Sequence, residues 1–334
     1  MISKRELLAT AMLTSAALAV TPLVLAQPKQ PKFKIAIALP GSITDNGWSQ
    51  AAFDALMTAK AQYGVEFAYT EKIKEPDHVE TLSDYARRGY NLVIAHGGEF
   101  QDAVNRVAPR FPGTTFVVNN GLKAGKNVAT ADFYFSQPAY LMGYVAGKMS
   151  KTGKAGVISA QKFKFTTDSV AGFEAGFKKA RPDGKVYVSW TGDWDDVAKG
   201  KEAALNQISQ GVDVLWPTMD RATLGALQAA KEKGVYALGL YHDAIRSWPD
   251  TILQSNILDV RGMMLNYIKL ALQKGPEGRN FEKGLEGRNY KYDLNTPEAV
   301  RIGTFHPAIP AAVVREVEEL VAQMKSGRLT PQPL

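Results

Sequence analysis

The chain of 334 residues contains no cysteine. That excludes disulfides, thiolate zinc sites, a cysteine nucleophile and any lipid attached through a cysteine. Histidine is nearly as scarce: His78, His96, His242 and His306 are the full complement, and none stands at metal-ligand spacing from another. The G-x-S-x-G elbow and the H-E-x-x-H motif are both missing, so the commonest signatures of a hydrolase are absent and neither metal nor cofactor is expected. A strong charge imbalance is lacking too, with 40 Lys and Arg against 33 Asp and Glu. The densest basic runs, Lys123 to Lys126 and Lys148 to Lys154, carry no interleaved aromatics. They read as solvated surface, and no nucleic-acid partner is expected.

What is present begins with an address. Lys4 and Arg5 precede an uncharged stretch from Leu7 to Val24, and Val24-Leu25-Ala26 places small side chains where a signal peptidase cuts before Gln27. Residues 1–26 are therefore expected to be a signal peptide, and the mature protein soluble outside the cytoplasm. Cleavage removes two basic residues and one acidic residue, leaving 38 against 32, a net +6 on 308 residues. That length is enough for two cores of ordinary domain size.

Strand and helix patterns alternate along the mature chain, as in parallel sheets covered by helices on both faces. Apolar runs at Ile35 to Leu39, Leu92 to Ala95, Thr115 to Val118 and Val128 to Asp132 form a first cycle. A second starts at Gly156 and includes Val186 to Trp190, Val212 to Trp216 and Tyr236 to Gly239. Two halves of like plan imply two lobes. A near-repeat of nine residues, KGPEGRNFE then KGLEGRNYK, fills Lys274 to Lys291, too few copies for a solenoid.

In an open α/β sheet, ligands meet the groups just past the carboxyl ends of strands. After the first strand come Asp45, Asn46 and Trp48. The indole is a stacking wall for a flat ligand or a staple for the first helix, and Asp45 and Asn46 are ligand contacts or helix caps. After the third strand comes His96-Gly97-Gly98-Glu99, where glycines let backbone N–H groups approach a ligand, or simply a tight turn. Asn119-Asn120-Gly121 follows the next strand, and Phe133 to Phe135 sits where the chain would cross between lobes. From the second half, Trp194 would face Trp48 across a cleft unless it caps a helix. Asp220 would accept from a ring N–H unless it caps the helix that follows.

The ordered segments IAIALPGSITDNGWSQAAFDAL, NLVIAHGGEFQDAV, NVATADFYFSQPAYLMGYVAGKMSKTGKAGVISAQ, VAGFEAGFKKARPDGKVYVSWTGDWDDVAKGKEAA and QGVDVLWPTMD resemble the basic membrane protein family across essentially the whole mature chain. Its members are substrate-binding proteins of ATP-driven importers, some of them purine nucleoside receptors. The resemblance implies an α/β type I periplasmic-binding-protein fold of two Rossmann-like lobes joined by three crossover strands. It implies lobe 1 at 33–133 plus 255–290 and lobe 2 at 134–254 plus 291–334. A small-molecule ligand, an ABC permease as partner and a monomeric state are implied with it. Many relatives are lipoproteins, whereas this chain, without cysteine, looks periplasmic.

The resemblance extends the candidate site to Asp45, Asn46, Trp48, His96, Gly97, Asn120, Phe135, Trp194, Asp220, Tyr241 and Asp243. At one of these the chain departs from the family: nucleoside-binding members usually read Gly-Val-Asp where this chain has Gly239-Leu240-Tyr241, and a basic residue common near Ser255 to Leu258 is missing. A phenol cannot chelate a vicinal diol as a carboxylate does. The expected ligand therefore shifts from a riboside to a free purine base, with a nucleoside or another flat heterocycle as the alternative. An α/β enzyme or a cytoplasmic ligand-sensing regulator are the competing classes.

Overall fold

A computed structural model describes residues 32–45, 47–273 and 287–332. The expected signal peptide, Asn46 and residues 274–286 of the near-repeat lie outside them. Two sheets of six strands make up the fold. The first holds β1 (Lys34–Ala38), β2 (Glu66–Thr70), β3 (Leu92–His96), β4 (Thr115–Asn119), β5 (Val128–Phe133) and the late strand β11 (Asn289–Tyr292), in the order β11-β5-β4-β3-β1-β2 and all parallel. The second holds β6 (Lys154–Ser159), β7 (Lys185–Trp190), β8 (Val214–Thr218), β9 (Tyr236–Leu240), β10 (Ile252–Leu258) and β12 (Val300–Ile302), in the order β12-β10-β9-β8-β6-β7. Only β12, on the sheet edge, runs antiparallel to its neighbour.

Central strands such as LVIAH and TFVVN are buried at every residue, because helices cover both faces and no position can turn to water. Those helices are α1 (Trp48–Tyr63), α2 (His78–Arg87), α3 (Gln101–Val107), α4 (Ser136–Met149), α5 (Lys164–Ala180), α6 (Val197–Ser209), α7 (Thr223–Lys233), α8 (Val260–Leu272) and α9 (Ala311–Lys325). Helix α5 starts at Lys164, soon after β6. Thr166, at its third position, takes a hydrogen bond from the Phe163 N–H and caps that start. α4 and α5 lie backbone to backbone. A Cβ on Gly143 would meet the Phe173 carbonyl oxygen at 2.0 Å, and one on Gly176 the Tyr140 oxygen at 1.9 Å.

The chain passes between sheets after Phe133, after Leu258 and after Tyr292. Residues 255–258 thus pair within the second sheet, through β9 and β12, and residues 291–292 within the first, through β5. The passages are tied together: the Tyr134 N–H donates to the Tyr292 carbonyl at 2.7 Å, and the Asp259 N–H to the Ala299 carbonyl at 2.7 Å. One continuous core runs through both lobes, from Leu56 on α1 and Met263 on α8 to Phe173 on α5 and Val317 on α9. Among the described residues no helix is long and apolar enough to cross a membrane.

Candidate functional site

The loop after β1 is built around Asp45. Its carboxylate accepts from the N–H groups of Gly47 and Ser49, both at 2.8 Å, and of Gln50 at 3.1 Å, which fixes the start of α1. Of the two roles open to this residue, the structure has it capping. The cap delivers Trp48 to the first position of the helix, where its indole stacks on His96 with ring centroids 4.1 Å apart and planes 19° apart.

Reciprocal hydrogen bonds lock that stack. The Trp48 Nε1–H donates to the His96 carbonyl at 3.2 Å, and His96 Nε2 lies 3.0 Å from the Trp48 carbonyl. A carbonyl only accepts, so Nε2 carries the hydrogen and Nδ1 accepts from Asn119 Nδ2 at 2.7 Å. His96 has no exposed surface, and burial lowers its pKa to about 3, so the ring is neutral. Both nitrogens are engaged within the first lobe, and the residue is the backing plate of Trp48.

Asn120, next in the chain, and Tyr241, just past β9, hold left-handed backbones with φ of 56° and 67°. Among the described non-glycine residues only Lys72 shares that conformation. Such strain costs on the order of 1–3 kcal/mol and gathers at ligand sites. Buried oxygens with no hydrogen-bond partner among the described residues collect at the same strand ends: Asn119 and Asn120 Oδ1 at β4, Asp220 Oδ1 after β8, Gln254 Oε1 and Asn256 Oδ1 on β10.

The other wall is aromatic. Phe135 packs on Phe133 at 5.8 Å and reaches across to Phe165 at 5.4 Å; Phe165 and Phe163 in turn lie 6.0 and 6.5 Å from Trp194. Trp194 therefore stacks in its own lobe, and among the described residues no ring contact joins it to Trp48. Nor does it cap α6, because the Asp196 side chain accepts from Ala198 and Lys199 N–H there. Asp243 is tied to Thr304, accepting from its N–H at 3.1 Å and its hydroxyl at 2.7 Å. At Gly97 the carboxylate of Glu99 fills the space a Cβ would take, 2.3 Å from its position.

Two cavities open where the lobes meet. The smaller, about 210 Å³, is lined by Glu99, Asn120 and Asp132 of the first lobe and Phe163, Phe165 and Asp168 of the second. Two of its acids are paired, Asp132 with Lys291 at 3.4 Å and Asp168 with Lys164 at 2.5 Å. The larger, about 950 Å³, runs past Gly47, Gln50, Asp220, Tyr241, Asp243 and Arg301. Asp220 lines it with one buried oxygen. The side chain does not cap α7, whose Thr223 N–H bonds instead to the Asp220 backbone carbonyl at 3.1 Å. Burial, then the nearby charges of Asp45 and Asp195, push its carboxyl up to about 8.

Sequence reasoning brought Trp48, His96, Asn120, Phe135, Asp220, Tyr241 and Asp243 to this junction and missed Phe163, Phe165, Asp132 and Asp168. The rule that ligand groups follow strands, applied after β6, would have found the two phenylalanines. Gly47 also escaped notice, since its importance lies in what the opposite lobe presses against it.

Comparison with known proteins places this arrangement in context. Residues 32–289 match the family model described as ABC transporter substrate-binding protein PnrA-like. A purine-binding protein of Brucella abortus is 28% identical over 303 residues, covering 90% of this chain and 83% of that protein. The transcriptional activator protein med of Bacillus subtilis is 29% identical over 299 residues, covering 89% and 90%. A solute-binding protein of an ABC transporter system from Aeropyrum pernix superposes with a TM-score of 0.79 at 20% identity, covering 91% of this chain and 94% of that one.

Proposed function

The chain belongs to the PnrA-like family of ABC transporter substrate-binding proteins, and on that premise we propose that it captures a purine-type ligand, preferably the free base, between its lobes in the periplasm and delivers it to an ABC permease. Proteins of this family bind substrate for a transporter rather than transform it. The observation that carries the purine reading is the Trp48 indole, held flat on His96 at the end of the first sheet. A rigid aromatic face presents a large stacking area at little entropy cost. The Phe163, Phe165 and Trp194 rings supply apolar area on the opposite lobe. Unpartnered buried oxygens of Asn120 and Asp220 await polar ring edges. The 28% identity to a purine-binding protein supports the same class.

Preference for base over nucleoside rests on Tyr241, half-buried and held in its left-handed conformation where the family's nucleoside receptors use an acid. Calorimetric titration of adenine, hypoxanthine, xanthine and guanine beside their ribosides tests it. The base should bind at least tenfold more tightly, about 1.4 kcal/mol. Equal or tighter binding of a riboside would overturn the base preference, and no binding by the whole panel would overturn the purine reading. A second reading, a ligand-sensing regulator, draws on the likeness to a transcriptional activator. A mature amino terminus at Gln27 in a periplasmic extract would exclude it, and an intact Met1 in the cytoplasm would favour it.

A further inference from the structure

Asp220 belongs to the second lobe but rests on the first. A Cβ on Gly47 would lie 2.6 Å from Asp220 Oδ1 and 3.1 Å from its Cβ, so the carboxyl packs directly on the Gly47 backbone. Around it are gathered Asp45 from the loop before α1, Asp195 from the loop after β7, the Tyr241 hydroxyl after β9 and the Trp48 N–H. Asp45 is fixed in that place by three backbone donors. Tyr241 keeps its proton, since burial and the neighbouring acids raise its pKa well above the ordinary value. Arg221, next in the chain, directs its N–H to Asp195 at 3.4 Å. Among the described residues no cation forms an ion pair with Asp220, and its Oδ1 has no partner.

We propose that Asp220 is a proton-linked latch: the second lobe closes on Gly47 far more readily when this carboxyl carries a proton, so that opening and closing are coupled to proton release and uptake. The inference goes beyond the purine reading and holds whatever the ligand is. An ionised Asp220 closed onto Gly47 with no cation paired to it would leave a carboxylate out of water near the acids Asp45 and Asp195, which is strongly unfavourable. When the lobes part, the carboxyl regains water and loses Asp45, and it returns toward its ordinary value of 3.8 from about 8. The closed form then binds more protons than the open form between those two values. The closing constant falls as pH rises through that window and levels off above it. Between pH 6 and pH 9 the fall is about 100-fold.

The absence of native cysteine makes the test clean. A dye pair attached at Asp102→Cys on α3 and Glu202→Cys on α6, both exposed and on different lobes, reports the interlobe distance in the ligand-free protein. The closed fraction should be larger at pH 6 than at pH 9, and Asp220→Asn, which keeps the shape but cannot ionise, should remove the difference. A closed fraction that does not change with pH, or a change that persists in Asp220→Asn, would overturn the latch. Infrared spectra of the unsubstituted protein provide a second readout independent of any variant. A carboxylic-acid carbonyl band should disappear between pH 7 and pH 9, and absence of that loss would also overturn the proposal. Failure of purines to bind would leave both readouts intact, so the two readings fail separately.

Discussion

The two lobes meet the cleft with opposite kinds of surface. On the first, Asn120 apart, the groups nearest the ligand path are already satisfied: Asp45 caps α1, His96 has both nitrogens bonded, and Trp48 is stacked and doubly hydrogen-bonded to His96. On the second, Asp220 keeps a buried oxygen without a partner, Tyr241 holds a strained backbone and Trp194 stacks on Phe163 and Phe165. The difference teaches a division of labour. A prebuilt face takes the ligand at small entropic cost, and an unsatisfied face gains its missing contacts on closure.

The largest effect should come from denying the second lobe its seat. Gly47→Val places carbon where Asp220 Oδ1 now lies, 2.6 Å from the Cβ position, and should weaken binding of the preferred purine at least 100-fold by calorimetry, about 2.7 kcal/mol. Unchanged affinity would mean that the lobes need not meet at this point. Next in size is Trp48→Ala, expected to cost on the order of 2 kcal/mol or more of binding. Trp194→Ala should cost less, about tenfold, because Phe163 and Phe165 still cover that wall. A reversed order would break the contrast between a prebuilt and a completing face.

Acid should strain the two faces in opposite directions. His96 titrates near its ordinary 6.5 when unfolded and at about 3 when folded, so the unfolded chain binds more protons between those values and stability falls as pH drops through them. From pH 7 to pH 5 the loss is about 2 kcal/mol, read as a lowered melting midpoint. His96→Gln should flatten that profile. The smallest effect is expected from Asp45→Ala, which uncaps α1 and should lower stability by about 1 kcal/mol in denaturant titration. A loss near zero would show that the β1–α1 loop is held by other contacts.

How much of this was legible in sequence follows from the range of the forces involved. Val260 to Leu272 reads as a helix and is one, because its apolar period and its Asp259 cap are both local. Strand ends were legible for the same reason, and they led to Trp48, His96, Asn120 and Asp220. Which polar side chains were already occupied was not, since the partners come from afar: His96 is satisfied by Trp48 and Asn119, and Asp243 by Thr304, 61 residues on. Phe163 and Phe165 also follow a strand end, and the packing of Phe135 against Phe165 across the lobes is what ties them to the site.

The three passages after Phe133, Leu258 and Tyr292 also govern the order in which the protein can be made. The first sheet waits for β11, which pairs with β5 from more than 150 residues downstream, and α1 waits for α8 to cover it. The second lobe waits for α9, whose Glu316 bonds Tyr144 and Lys148 on α4. Neither half reaches its final packing on a ribosome-bound fragment ending before about Tyr292. Contacts that close such long loops form late and slowly. A growing chain would expose β5 as an unpaired sheet edge for most of its synthesis, and a nascent-chain binding factor that shields strand edges would find its longest-lived target there.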